Sequence, residues 1–332
     1  MRPAQVAIRL ILAARRSPCR AICCSQEPEI LRKKGYGMEA LGTLQVVDLT
    51  TGIAGPITGM FMADFGAEVV KIEPPTGDPG RDTPGFSMWH RGKKSVTIDP
   101  ANADQCKWLG DLIAGADICL VRDAKTLARY NLSADGLMRR NARLIVTELP
   151  PYTRNAPWHG EHESQALLSA LGGIAWRQSS TDGAPIDSVF PHLLYVQGLW
   201  ATVCTVAALV ERERSGFGQN VTITGINAVM EAAVGTLTVN PDNPDPSTAV
   251  GTGGRHPTYT RYKTKDGQWI ACGALGGKFE QWLVNALGLG DMLKEERMGG
   301  NIANLVLAAN VDWAKDKIGA EFLKRDRDDL IE

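Results

Sequence analysis

The chain has 332 residues, 44% of them hydrophobic and 22% charged, with a formal net charge of −1. These values suit a globular protein with a large core and room for two domains. So small a net charge gives no field for nucleic acid or anionic lipid, and no uninterrupted apolar run approaches a membrane span, so neither partner is expected.

Residues 1–37 carry Arg2, Arg9, Arg15, Arg16 and Arg20, with no acid before Glu27. Two readings fit: a mitochondrial transit peptide, or sequence lying upstream of the true start. A strand–helix–strand pattern begins just after Met38. Lys33–Lys34–Gly35 implies purine-rich codons where a bacterial ribosome-binding site would lie. Both points favour the second reading and a cytoplasmic protein, and the segment is left out of the fold. Cys19, Cys23 and Cys24 have no matching second pair for a zinc site, while Cys106, Cys119, Cys204 and Cys272 sit far apart in apolar contexts as expected buried thiols.

From there the pattern predicts a strand over 44–49 and a helix over about 56–66, with Pro56 in its first turn, where a missing N–H costs nothing. Strands follow at 67–73, 95–100, 117–121 and 142–149, with a helix at 103–114. A buried helix is predicted over 164–175, ending at glycines, and a long one over 193–216, stopped by Gly216. A strand at 220–225 and a helix at 226–237 lead into a linker rich in Pro, Gly and Asn. A hairpin around Asp266–Gly267 and a helix at about 278–287 complete the pattern. Strands alternating with helices argue an α/β fold with a mostly parallel, doubly wound sheet over 38–228, then a linker and a smaller α+β domain over 229–332. The first strand–helix–strand unit lacks the Gly-x-Gly-x-x-Gly of a dinucleotide site, so its turn at Gly52–Pro56 should hold something else.

Four stretches, VVDLTTGIAGPITGMFMADFGAEVVKIEPPTGDPGR (46–81), MWHRGKKSVTIDP (88–100), AALVERERSGFGQNVTITG (207–225) and YKTKDGQWIACGALGGKF (262–279), resemble the family III CoA-transferases. This is the CaiB/BaiF group, with formyl-CoA transferase and the α-methylacyl-CoA racemases among its members. The resemblance spans about 42–290. It implies a Rossmann-like large domain, a small domain, and two chains interlocked as a dimer. It also implies acyl-CoA as substrate and no permanently bound cofactor. The family's chain returns to the large domain through a C-terminal segment. This sequence stops at Glu332, so the expectation is a truncated chain or one half of a fused protein, pairing with a second half or forming a homo-oligomer.

By the same resemblance, Gly52, Ile53 and Ala54 lie against the thioester end of CoA, glycine permitting close backbone approach. Ile98 and Arg129 match contacts to the nucleotide end, although Ile98 also reads as strand core and Arg129 as a solvated helix charge. Pro74 stands where a basic contact is common. The family's Asn-Phe-Arg-Pro-Gly stretch is Arg-Asp-Ala-Lys-Thr here (122–126), leaving Arg122 either to reach a phosphate or to sit on the surface. Arg91–Lys94 reads either as a phosphate-attracting patch or as a solvated turn.

The family's transfer chemistry uses an aspartate nucleophile. Counting back from Ser215–Gly216 places it at Leu194, with Gly198 in register. The acid expected at the start of the 165–173 helix is Gln165, and a Glu-Pro of the small domain is Gly276–Gly277. A glutamine can hydrogen-bond a thioester carbonyl but cannot exchange a proton near neutral pH. Substitute acids close in sequence are Glu163 and Asp187, with His159, Glu161, His162 and His192 nearby. His159 and His162 follow a Pro-Trp lead-in that suggests a loop rather than the helix that fixes metal-ligand pairs, so no metal is expected. The sequence therefore carries two functional expectations: a CoA-transferase using a displaced acid, or a non-catalytic CoA-binding half with an active companion. A racemase ranks behind both, because Gln165 removes its base.

Overall fold

The computed structural model describes residues 40–177, 184–233 and 256–331, so the predictions for 1–37, for the linker and for the end of the 226–237 helix lie outside the described residues. The chain divides into two compact units. One holds the described residues up to Ser169 together with Ser188–Ala232; the other holds Ala170–Asp187 and the residues from Ala233 on.

The first unit is a six-stranded sheet. Its strands are β1 (Gln45–Asp48), β2 (Glu68–Glu73), β3 (Lys94–Thr97), β4 (Ile118–Val121), β5 (Ile145–Glu148) and β6 (Asn220–Thr222), ordered β3-β2-β1-β4-β5-β6. Every pairing is parallel, with Val47 opposite Val70 and Cys119. The chain builds outward from β1 to β3, then crosses back to place β4 on the other side of β1. The order therefore reverses between β1 and β4, where doubly wound sheets open a crevice at the carboxyl ends of their strands.

Successive strand residues point to opposite faces, so a sheet covered on both sides needs apolar residues at nearly every position. Val47, Val70, Cys119 and Val146 join a core with α3 (Ala103–Gly115), the third helix after α1 (Ala54–Asp64) and the single turn α2 (Phe86–Trp89). Their neighbours Val46, Val69, Ile118 and Ile145 pack on the other face with Met62 of α1 and with Ala208 and Leu209. The short helices α4 (Ala124–Ala128) and α5 (Ala134–Arg140) follow β4 and open on Asp123 and Ser133, whose side chains accept from the backbone N–H groups of Thr126 and Gly136, each three residues on.

The single helix expected over 164–175 is two, α6 (Gln165–Leu171) and α7 (Ile174–Arg177). Gly172 and Gly173 separate them, and Gly173 takes φ +68°, a left-handed conformation that interrupts a helix. The long helix α8 (His192–Ser215) ends as predicted, with Gly216 at φ +82° donating to the Arg212 carbonyl. By length and composition α8 could cross a membrane, contrary to the expectation that no run comes close; half of its apolar stretch is buried within the protein. Its buried polar side chains each make polar contacts, although Gln197 Oε1 and Arg212 Nε accept or donate no hydrogen bond. Gln197 donates to the Pro150 and Ile223 carbonyls, Thr205 meets Thr147 at 2.9 Å, and Arg212 reaches the Arg143 carbonyl and Asp117. Gly198 lets α8 lie directly on α1, since a Cβ there would stand 2.6 Å from the Ala54 carbonyl oxygen. The helix α9 (Gly225–Ala232) closes this unit.

In the second unit, β7 (Arg261–Lys263) and β8 (Trp269–Ala271) form the expected antiparallel hairpin, with Gly267 at φ +76° in its turn. Helices α10 (Gly277–Ala286), α11 (Ala308–Phe322) and α12 (Arg327–Ile331) follow. Tyr262 of the hairpin stacks on Phe322 of α11 at 4.9 Å. Among the four cysteines expected as buried thiols, Cys106 and Cys119 are buried while Cys204 and Cys272 are only half-buried; all four are free.

Candidate functional site

The crevice between β1 and β4 is built from two loops. After β1 the chain runs Leu49–Ile53 into α1, with Gly52 at φ +82°. After β4 it passes Arg122. The N-cap residue of α1, Ile53, has no side chain able to cap it, so the first backbone N–H groups need an acceptor from elsewhere.

Glu163 supplies it. Its Oε1 accepts from the Ile53 N–H at 2.8 Å, and the Ala54 N–H also bears on the carboxylate. Gly52 makes the approach possible, because a Cβ there would lie 2.6 Å from the same oxygen. The preceding residues are fastened in turn. Arg122 Nη2 donates to the Glu161 carbonyl at 3.1 Å, and the buried Tyr152 donates its hydroxyl to the His162 carbonyl at 3.1 Å. Residues 161, 162 and 163 are thus tied one after another to the chain after β4, to the chain after β5 and to the turn. Burial pushes the Glu163 carboxyl above the usual glutamate value; the Ile53 amide, the Arg122 charge and the Ala54 amide oppose the rise without cancelling it.

The sequence-predicted residues divide accordingly. Gly52, Ile53, Ala54, Arg122 and Glu163 come together in this crevice. Ile98 has its side chain in the sheet core, 3% exposed. Arg129 is exposed at the end of α4. Asp187 is exposed and Gly276 lies just before α10, both in the second unit. Leu194 is 3% exposed within α8. Gln165 caps the start of α8: its Oε1 accepts the Leu193 N–H at 3.0 Å, and its Nε2 lies 3.3 Å from His192 Nδ1. His159 and His162 are exposed, and no group of three or more His, Cys, Asp or Glu side chains among the described residues could hold a metal ion. The Arg91–Lys94 patch is spoken for, with Arg91 on Asp64, Lys93 on Asp48 and Lys94 on Glu68.

Beneath the turn lies a feature that the sequence reading passed over. Asp48 at the end of β1 accepts Lys93 Nζ at 2.8 Å, and Lys71 in β2 meets Asp78 at 2.7 Å. Burial alone would raise the Asp48 carboxyl, but the Lys93 and Lys71 charges, with hydrogen bonds from Lys93 and Thr50, hold it at about 2. Burial depresses the Lys93 ammonium in spite of Asp48. Nearby, Glu73 is held at about 2 against its own burial by Arg81, Ser95 and the Asp78 N–H. The available signal was Lys71 itself, a cation inside the otherwise apolar run Val69–Ile72.

The fold and the crevice define a doubly wound α/β protein whose switch-point turn offers backbone amides to a carbonyl or carboxylate oxygen. The chain belongs to CoA-transferase family III, whose family model matches residues 41–332. It is similar to the succinyl-CoA–L-malate CoA-transferase beta subunit of Chloroflexus aurantiacus, 26% identical over 86% of this chain and 75% of that one. It is also similar to the succinate–glutarate CoA-transferase of Agrobacterium fabrum, 26% identical over 88% of this chain and 76% of that one. The crystal structure of Rv3272 from Mycobacterium tuberculosis shares the fold, with a TM-score of 0.69, 23% identity, and coverage of 87% of this chain and 79% of that one.

Proposed function

We propose that this chain binds an acyl-CoA with its thioester at the Gly52–Ala54 turn, and that Glu163 is the carboxylate through which CoA passes between carboxylic acids. The observation that carries the reading is the 2.8 Å bond from the Ile53 N–H to Glu163 Oε1. It supports the reading by setting one carboxylate against the turn proposed to receive the thioester, and a raised pKa marks that carboxylate as more basic than an ordinary glutamate.

The chemistry balances with no other reagent. A Glu163 oxygen attacks the thioester carbonyl and expels CoA thiolate, forming a mixed anhydride. The thiolate attacks the glutamyl carbonyl and releases the donor acid, leaving a glutamyl-CoA thioester. The acceptor carboxylate attacks that carbonyl, and the thiolate then takes the acceptor acyl group and frees Glu163. For the first attack Glu163 must leave the amides, which are then free to bind the thioester oxygen as negative charge develops there.

A second reading has its own support. Leu194 is a buried hydrocarbon, and the Gln165 amide is committed to capping α8. A chain of this kind could bind CoA while a companion chain carries the nucleophile, and one relative is named as a beta subunit, that is, as one chain of a multi-subunit CoA-transferase. Racemisation has no support, because an amide cannot move the α-proton.

The test is trapping. Wild type and Glu163→Gln are incubated with an acyl-CoA, reduced with borohydride and digested for mass spectrometry. Reduction of the Glu163 carboxyl to an alcohol, a mass change missing from the variant, with CoA affinity unchanged, is expected. CoA binding with no such mass change, and transfer only after a companion chain is added, would establish the second reading instead.

A further inference from the structure

Two buried lysines grip the backbone of the candidate turn, one at each end. Lys71 Nζ donates to the Thr50 carbonyl and is neutralised by Asp78. Lys93 Nζ donates to the Pro56 carbonyl at 2.8 Å and is neutralised by Asp48 at 2.8 Å. Asp48 closes the arrangement by accepting the Thr50 N–H at 2.9 Å and the Thr50 hydroxyl. The six residues after Thr50 are therefore held at both ends by cations, and the Ile53 and Ala54 amides lie between the two grips.

The glycines on this stretch clear the same contacts. A Cβ on Gly55 would stand 2.3 Å from Thr50 Cβ, and one on Gly59 would stand 2.9 Å from Lys93 Nζ. Gly52 makes room for Glu163, Gly55 for Thr50 and Gly59 for the ammonium. All four charged side chains are at most 3% exposed. Stability alone does not account for them, because well-packed apolar residues usually serve a buried site as well as an ion pair does or better. An ion pair does supply direction, and here both cations are aimed at main-chain carbonyls of one loop.

We propose that Lys71 and Lys93 are positioning residues that fix the Ile53 and Ala54 N–H groups in the orientation that receives the thioester carbonyl. The functional half rests on the acyl-CoA reading above; the structural half does not. Neither lysine touches substrate, and each acts through the backbone it holds.

Removing one lysine alone would leave a buried carboxylate unpaired and could unfold the protein. The variants are therefore the paired Asp48→Asn/Lys93→Met and Lys71→Met/Asp78→Asn, which remove both charges of each pair. Amide hydrogen exchange is followed by NMR at Ile53 and Ala54, and at Val47 and Leu120 as controls in the sheet. Each pair should speed exchange at Ile53 and Ala54 by about tenfold or more, the scale of one lost charge-assisted hydrogen bond, while the sheet amides keep their protection. Affinity for an acyl-CoA, measured by calorimetry, should fall by a similar factor. Unchanged exchange at the turn in both variants, or an equal rise at turn and sheet, overturns the proposal. So does a loosened turn with undiminished acyl-CoA affinity. If wild type itself binds no acyl-CoA, the function proposed above fails, while the exchange result still decides whether the lysines hold the turn.

Discussion

Replacing Gly52 by alanine tests the contact on which the candidate site depends. At φ +82° a residue with a Cβ costs about 1–2 kcal/mol in backbone strain alone. The new Cβ would also stand 2.6 Å from Glu163 Oε1 and 3.1 Å from its Cδ, so the carboxylate must move off the Ile53 N–H. A hydrogen bond to a charged group contributes about 1.5–3 kcal/mol, and half-burial places this one toward the lower end. Gly52→Ala should therefore destabilise by about 2.5–4 kcal/mol. In a Glu163→Ala background nothing remains to collide with, and the same change should cost only the backbone strain. The double-mutant cycle thus predicts a coupling of about 1.5–2 kcal/mol between two residues 111 positions apart in the chain. Urea unfolding of the four proteins, followed by far-UV circular dichroism, measures it. Additivity within about 0.5 kcal/mol would mean that Glu163 does not rest on Gly52, and the site would lose its carboxylate.

Leu194→Asp should not raise CoA transfer above the wild-type rate: it puts a carboxylate where a side chain is 3% exposed and should lower stability by about 3 kcal/mol or more in a thermal melt. Transfer in that single variant well above the wild-type rate would show that an acid at position 194, and not Glu163, suits the chemistry. Acid unfolding offers another check. The Asp48 carboxyl sits at about 2 when folded, below its ordinary 3.8, so its contribution is present above the unfolded value and is lost as pH falls through the folded one. That contribution is about 2 kcal/mol on the carboxylate side, although the Lys93 ammonium, depressed by burial, opposes it. Urea midpoints measured from pH 5 down to about 2 should fall more gently in Asp48→Asn/Lys93→Met than in wild type, and parallel curves would refute the assignment.

Much of the architecture could be read from residue order. Alternating apolar strands and helices specify a two-sided parallel sheet because Val46 and Val47, Val69 and Val70, or Ile118 and Cys119 must each find a separate apolar layer. Glycines announce breaks wherever left-handed backbone is required, as at Gly216 and Gly267. The interruption at Gly172–Gly173 was harder to read, since apolar residues on both sides continue the helical spacing. The turn at Gly52–Ala54, a leucine at 194 and a glutamine at 165 were likewise visible in one dimension, because they depend on which side chain occupies a position.

Which partner each position meets was a different matter. Glu163 reaches Ile53 across 110 residues, and it does so because Arg122 and Tyr152 fasten the two carbonyls just before it. Lys71 and Lys93 meet backbone carbonyls at the two ends of one loop because β2 and β3 pair beside β1. Hydrogen bonds and ion pairs act over about 3 Å, whereas sequence separation says nothing about distance once a sheet reorders its strands. Residue type thus declared which chemistry each position can supply, and only the packing of the sheet decided which carboxylate stands at the turn and what holds that turn in place.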